Sequence, residues 1–200
     1  DDSERGFSFM RNGPLDMRMD PKSGLSAADW LNQSEVEEMS AVFRDYGEER
    51  FHWRFAKAIA KQREVVPFET TSQLAELIVD VCPTKERKKH PATRVFQAIR
   101  IAVNNELDEL KGALDQCLEF MAVGGRMCVI SFHSLEDRIV KRFIRKHAQG
   151  DPYPSDLPIK SECIVYRLKK VGGLVRPSAN EISINPRARS ARMRLAEKLR

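Results

Sequence analysis

The sequence predicts an α/β fold: part of a doubly wound sheet with an inserted all-helical block. Three observations predict it. From about residue 91 the order is long helix, Gly-Gly turn, short apolar strand, capped helix. Residues 26–82 carry only helical periodicity and helix caps. The third is a shortage: the α/β part offers only three plausible strands and no glycine-rich loop after a first strand. The missing half of the sheet is therefore expected before Asp1, which opens the chain in a polar stretch without a start signal.

In chain order, residues 1–24 predict an ordered loop, the tail of that missing half. Gly6, Gly13-Pro14, Pro21 and Gly24 break any period, yet Phe7, Phe9, Met10, Leu15, Met17 and Met19 must pack against something. The helical block spans about 25–90. Ser26 caps a short helix through Asn32. Ser34 to Glu37 reads as a capping box opening a helix to Tyr46, stopped by Gly47. A helix over 48–64 spaces Phe51, Phe55 and Ile59 four apart, and Thr70 caps another that ends before Pro83. Trp30 and Trp53 are assigned to the core of this block.

The α/β part spans 91–200. One long helix runs from Pro91 to about Met121, ended by Gly124-Gly125. Met127 to Ile130 has the character of a buried parallel strand. Ser134 caps a helix to about His147, residues 148–160 are loop, and 162–169 can be a strand. Residues 190–196 alternate Ala191, Met193 and Leu195 against Arg192 and Arg194, as in a half-buried edge strand.

With 42% hydrophobic and 32% charged residues in 200, a packed core is feasible and global disorder is excluded. No apolar run approaches the roughly 18 residues that span a bilayer, and no secretory signal opens the chain. Cys82, Cys117, Cys128 and Cys163 form no C-x-x-C and read as buried, reduced thiols of a cytosolic protein. Charge is uneven. Residues 1–49 hold 12 acids and 5 bases, net −7, so the remainder carries +12 of the overall +5. Its excess concentrates at 85–100, at 138–146 and at 187–194. Such a field attracts a polyanion. Few aromatics interleave these clusters, so a single-strand stacking platform is not expected.

Four segments carry candidate chemistry. In Gly13 to Asp20, two acids and an arginine sit among buried-type residues. Arg18 could pair with Asp16 or Asp20, either to anchor the loop or to set a carboxylate in a pocket wall facing a substrate amine. Ser131-Phe132-His133-Ser134 lies where a strand ends and a helix begins, the usual ligand position in open α/β sheets. His133 and Asp137 lack a third metal ligand, and neither Ser131 nor Ser134 sits in a G-x-S-x-G elbow, so neither a metal site nor a nucleophilic serine is expected. His90 to Arg94 follows four basic residues at a helix start, suited to phosphate. Asn185-Pro186-Arg187-Ala188-Arg189-Ser190 reads as a basic turn before the last strand.

Together with Glu4-Arg5-Gly6-Phe7-Ser8-Phe9 and Tyr46-Gly47-Glu48-Glu49-Arg50, these segments, in this order, make the chain resemble the bacterial ribosomal RNA small subunit methyltransferase H family, MraW type. The resemblance covers essentially all 200 residues. It implies a class I, Rossmann-like S-adenosylmethionine-dependent methyltransferase fold whose N-terminal part is absent here, with an inserted all-helical, RNA-binding domain. The implied reaction transfers a methyl group from S-adenosyl-L-methionine to the exocyclic N(4) of a cytidine in 16S rRNA, in the cytoplasm, on the small ribosomal subunit. Cofactor contacts are expected upstream of Asp1, so the chain alone is expected to be inactive. On this reading Asp16, Arg18 and Asp20 are the catalytic candidates, and Ser131 and His133 line the substrate pocket. Lys88, Lys89, Arg94, Arg138, Arg142 and Arg187 hold RNA. The competing readings are a non-catalytic RNA-binding module and a metal hydrolase built on His133.

Overall fold

The computed structural model describes residues 2–84, 90–150 and 165–200. They form two compact units, Asp1–Glu106 and Leu107–Arg200.

In the first unit a short 3-10 turn (Ser3–Arg5) and an extended loop precede five helices. These are α1 (Ala27–Gln33), α2 (Val36–Asp45), α3 (His52–Arg63), α4 (Thr71–Val81) and α5 (Ala92–Val103). Ser26 with Asp29, and Thr70 with Gln73, form the capping boxes of α1 and α4. The box expected at Ser34 does not form. Ser34 is buried at the end of α1, where its N–H donates to the Trp30 carbonyl, and Glu35 precedes α2 without a side-chain cap. Helix α3 starts four residues later than expected, because Glu48 turns left-handed (φ 50°) behind Gly47. A Cβ on Gly47 would stand 2.7 Å from the Phe43 carbonyl oxygen and 2.8 Å from that of Arg94, so only glycine lets α2 approach α5 this closely.

One core gathers Leu31, Phe43, Phe55, Ile59, Leu74 and Ile78 with Val95 and Ile99 of α5. The leading loop is part of it, as its apolar content demanded: Leu15 and Met17 are buried, and Phe9 stacks on His90 at 4.6 Å. Trp30 is buried as expected. Trp53 is not: its residue is 42% exposed. The stripe of Phe55 and Ile59 already fills the core side of α3, leaving position 53 outside.

The single long helix of the sequence reading is two helices. Helix α5 ends at Val103, and α6 (Glu106–Phe120) begins after Asn105, whose left-handed backbone (φ 49°) breaks the run.

In the second unit α6 and α7 (Ser134–Gln149) pack with a three-stranded sheet of β1 (Arg126–Ser131), β2 (Leu168–Val175) and β3 (Arg192–Lys198). The strand order is β1-β3-β2, and both neighbours run antiparallel to β3. Strands β1 and β2 are therefore parallel to each other, joined through α7, with β3 inserted between them. This corrects two expectations. The Met127–Ile130 strand has an antiparallel partner and, among the described residues, lies at the sheet's edge, with Cys128 and Ile130 exposed. The last strand is central rather than peripheral. Of the predicted strand at 162–169, residues 162–164 fall outside the described residues, 165–167 are not strand, and β2 begins only at Leu168, running on to Val175.

The short helix α8 (Ala179–Ile184), which the sequence reading lacked, precedes a 3-10 turn at Pro186–Ser190. Cys82 is half-buried and Cys117 and Cys128 are exposed, so none of the three described cysteines is the buried thiol expected; Cys163 lies outside the described residues. Both exposed cysteines occupy the solvent-facing register of their elements, where apolar periodicity alone had placed them inside. Among the described residues no helix is long and apolar enough to cross a membrane.

Candidate functional site

The Gly13–Asp20 loop of the first unit is held by backbone bonds along its length. Leu15 N–H donates to the Glu69 carbonyl at 2.8 Å, and Thr71 N–H to Gly13 at 3.0 Å, so the loop pairs with the entry to α4. Ala27 and Ala28, the first residues of α1, donate to the carbonyls of Asp16 (2.7 Å) and Leu15 (2.8 Å). Gly6 lets the preceding turn press in. Its backbone is left-handed (φ 69°), and a Cβ there would lie 2.3 Å from the Pro14 oxygen and 2.7 Å from the Asp16 nitrogen.

The buried side chains of Leu15 and Met17 alternate with the partly exposed Asp16 and Arg18. Met17 takes φ 60°, a conformation non-glycine residues rarely hold, and its neighbours enforce it. Asn104 donates to the Met17 carbonyl at 2.8 Å and accepts from Met19 N–H at 2.6 Å. Arg5 donates to the carbonyls of Arg18 (3.0 Å) and Met19 (2.8 Å).

The outcome is a positioned ion pair. Arg18 Nε and Nη2 donate to the two Asp16 oxygens at 2.8 and 2.7 Å, and the Arg18 backbone N–H adds a third bond to Oδ1 at 3.0 Å. The Arg18 side-chain hydrogen bond holds the Asp16 carboxyl below its ordinary range, against a smaller opposing push from burial. Asp16 thus stays ionised and fixed, with lone-pair capacity left for a further donor. Asp20 is placed differently: it lies in an exposed turn and accepts from the Lys22 backbone N–H at 3.0 Å.

In the second unit Ser131 ends β1 opposite Arg192 and is 2% exposed. His133, not Ser134, caps α7. Its Nδ1 accepts from Glu136 N–H at 3.4 Å, while the Glu136 carboxylate accepts from Phe132 (2.8 Å) and His133 (3.2 Å) N–H groups. The capping box is shifted one residue because His133, two residues past the end of β1, still has an extended backbone (φ −135°, ψ 168°). Asp137, weighed in the sequence as a companion of His133, turns instead to β3. It takes Arg194 Nε at 2.6 Å and Arg192 Nη1 at 3.0 Å, and the Arg194 bond holds its carboxyl below the usual range.

Of the predicted RNA contacts, Lys88 and Lys89 lie outside the described residues. Arg94 stands 3.6 Å from the buried Glu49 carboxylate, in a pocket of about 450 Å³ that His90, Thr93, Arg50 and Phe51 also line. Arg138 and Arg142 are exposed on the outer face of α7, and Arg187 is exposed in the 3-10 turn. Sequence reasoning missed Arg5 and Asn104 as the clamps of the Asp16 loop. The Asn104-Asn105 pair was the available signal, since asparagine tolerates the backbone that ends a helix.

A family model described as the MraW methylase family matches residues 1–199. The chain belongs to the MraW methylase family. Among curated relatives of this family, the ribosomal RNA small subunit methyltransferase H of Coxiella burnetii (strain RSA 331 / Henzerling II) is 56% identical over 199 residues. That match takes in 100% of this chain and 64% of the relative. The protein of the same name from Chromohalobacter salexigens is 59% identical over 200 residues, again 100% of this chain and 60% of the relative. The chain therefore spans somewhat over half the length of these MraW methylases.

Proposed function

We propose that this chain is part of an S-adenosylmethionine-dependent methyltransferase acting on the exocyclic N(4) of a cytidine in 16S rRNA, on the small ribosomal subunit, in the cytoplasm. The match of the whole chain to relatives named ribosomal RNA small subunit methyltransferase H carries this reading. The sheet supports a class I, Rossmann-like frame. Strands β1 and β2 are parallel with a helix between them in the chain, and the edge of β1 that is unpaired among the described residues is where further strands would add. Residues 25–90 then form the inserted helical domain, with 1–24 and 91–200 belonging to the methyltransferase domain.

S-adenosylmethionine supplies an electrophilic methyl group when bound. Among the described residues no glycine-rich turn leads from a strand into a helix, so no contact to it is assigned to this chain. What these residues do concerns the amine. A cytosine exocyclic amine is a poor nucleophile because its lone pair is delocalised into the ring. Asp16 accepts a hydrogen bond from an amine N–H, which opposes that delocalisation and orients the nitrogen. Arg18 keeps the carboxylate ionised and aimed. Ser131 and His133 shape the pocket at the end of β1, and Lys88, Lys89, Arg94, Arg138, Arg142 and Arg187 contribute to the field that holds rRNA phosphates.

The test is product analysis. Full-length protein is incubated with methyl-labelled S-adenosylmethionine and unmodified small subunits, and the 16S rRNA is digested to nucleosides. Label in N(4)-methylcytidine is expected. Label in another nucleoside, or none, overturns the reading.

A further inference from the structure

Helix α3 carries a surface that none of the expected RNA contacts includes. Counting about 100° per residue, Trp53, Arg54, Lys57 and Lys61 fall within an arc of about 100°, opposite the buried Phe55 and Ile59. All four are exposed, and no acid occurs between Arg50 and Arg63. Arg63 is not part of this face, because its guanidinium donates to the carbonyls of Leu31 (2.8 Å) and Ser34 (2.6 Å). The cations on the arc lean on no carboxylate of their own helix.

Trp53 is the unusual member. Trp53 is 42% exposed on a helix whose apolar side is already filled, so part of its indole stands open among the cations. Lys57 Nζ lies 5.2 Å from the indole centroid, which stands the ring within the basic stripe. A flat π-face beside cations that track a backbone over about 12 Å is the arrangement that binds single-stranded nucleic acid.

We propose that this face of α3 binds a single-stranded segment of RNA, with Arg54, Lys57 and Lys61 on phosphates and one base stacked on Trp53. This rests on the rRNA reading above and adds to it a surface and a mode of contact. The occupant is RNA rather than an acidic protein segment because the indole supplies a stacking plane amid the charge.

The experiment uses the full-length protein, bare 16S rRNA and a salt titration of binding. Arg54→Ala/Lys57→Ala/Lys61→Ala is expected to weaken binding at least about tenfold near 0.1 M salt. It also flattens the logarithmic salt slope by about 2, at roughly 0.7 per phosphate contact. Trp53→Ala is expected to weaken binding roughly fivefold to a hundredfold with little change in slope. Trp53→Phe removes the quench of intrinsic fluorescence that RNA causes in the wild type. Unchanged affinity and slope in the triple variant, or an unchanged quench in Trp53→Phe, overturns the proposal. Thermal midpoints matching the wild type confirm that these surface variants fold. The two readings fail separately: RNA binding through α3 without N(4)-methylcytidine product sinks the methylation reading alone, and product with an inert α3 face sinks this one alone.

Discussion

Three hydrogen bonds from Arg18 hold Asp16, and that makes the carboxylate a better acceptor than base. Its pKa is lowered, so it stays ionised well below neutrality, and the amine contact proposed for it would be unaffected across the neutral range. Removing the guanidinium removes the largest cause of that shift. In Arg18→Met the Asp16 pKa rises, and the acid limb of the methylation rate moves upward in pH relative to wild type. A rate–pH profile checks this, and superimposable acid limbs would show that Arg18 does not act on Asp16. The pairing was half legible in the sequence. Leu15 and Met17 flagged a buried strip, and burial demanded a partner for any acid between them. The choice between Asp16 and Asp20 was not legible, because it depends on the left-handed turn at Met17 that Asn104 enforces from 87 residues away. Trp53 shows the opposite case. The stripe of Phe51, Phe55 and Ile59 already placed residue 53 on the outer side, but the apolar character of the residue pointed inward.

The second unit turns on how α7 meets the sheet. Helix α7 buries Leu135, Val140 and Ile144, and its Asp137 accepts from both Arg192 and Arg194 of β3. Asp137→Asn leaves two guanidiniums facing a neutral amide near a buried position. A destabilisation of about 3 kcal/mol is expected from denaturant melts of the whole protein. The sign with pH follows from the lowered carboxyl. Its contribution is full above the unfolded pKa of about 4 and is lost as pH falls through the lower folded value. Wild type should therefore lose more stability than Asp137→Asn on acidification below about pH 4, and equal losses would contradict the pairing. The alternation in 191–196 was visible in the sequence, but alternation fixes two faces without saying which is covered. Charge suggested that the arginines face water. The acid on α7 reverses that, and only the packed helix reveals it. The break between α5 and α6 was hidden for a similar reason: the apolar period runs on through Asn104 and Asn105, and a single left-handed residue is enough to end a helix.

At the scale of the whole molecule, one unit carries a clamped carboxylate, and the other, among the described residues, is built on three strands with β1 at the edge. The mixture of helices and strands, and the helical run before it, were legible because caps, glycine stops and apolar periods act locally. The strand order was not, because β3 reaches its place between β1 and β2 only through contacts distant in sequence. The central claim is that Asp16 acts on the amine that is methylated. Single-turnover methylation of 16S rRNA by the full-length protein carrying Asp16→Asn tests it most directly, with RNA affinity measured alongside. The expected result is a rate lower by roughly a hundredfold or more with RNA affinity unchanged; a rate equal to wild type would contradict it.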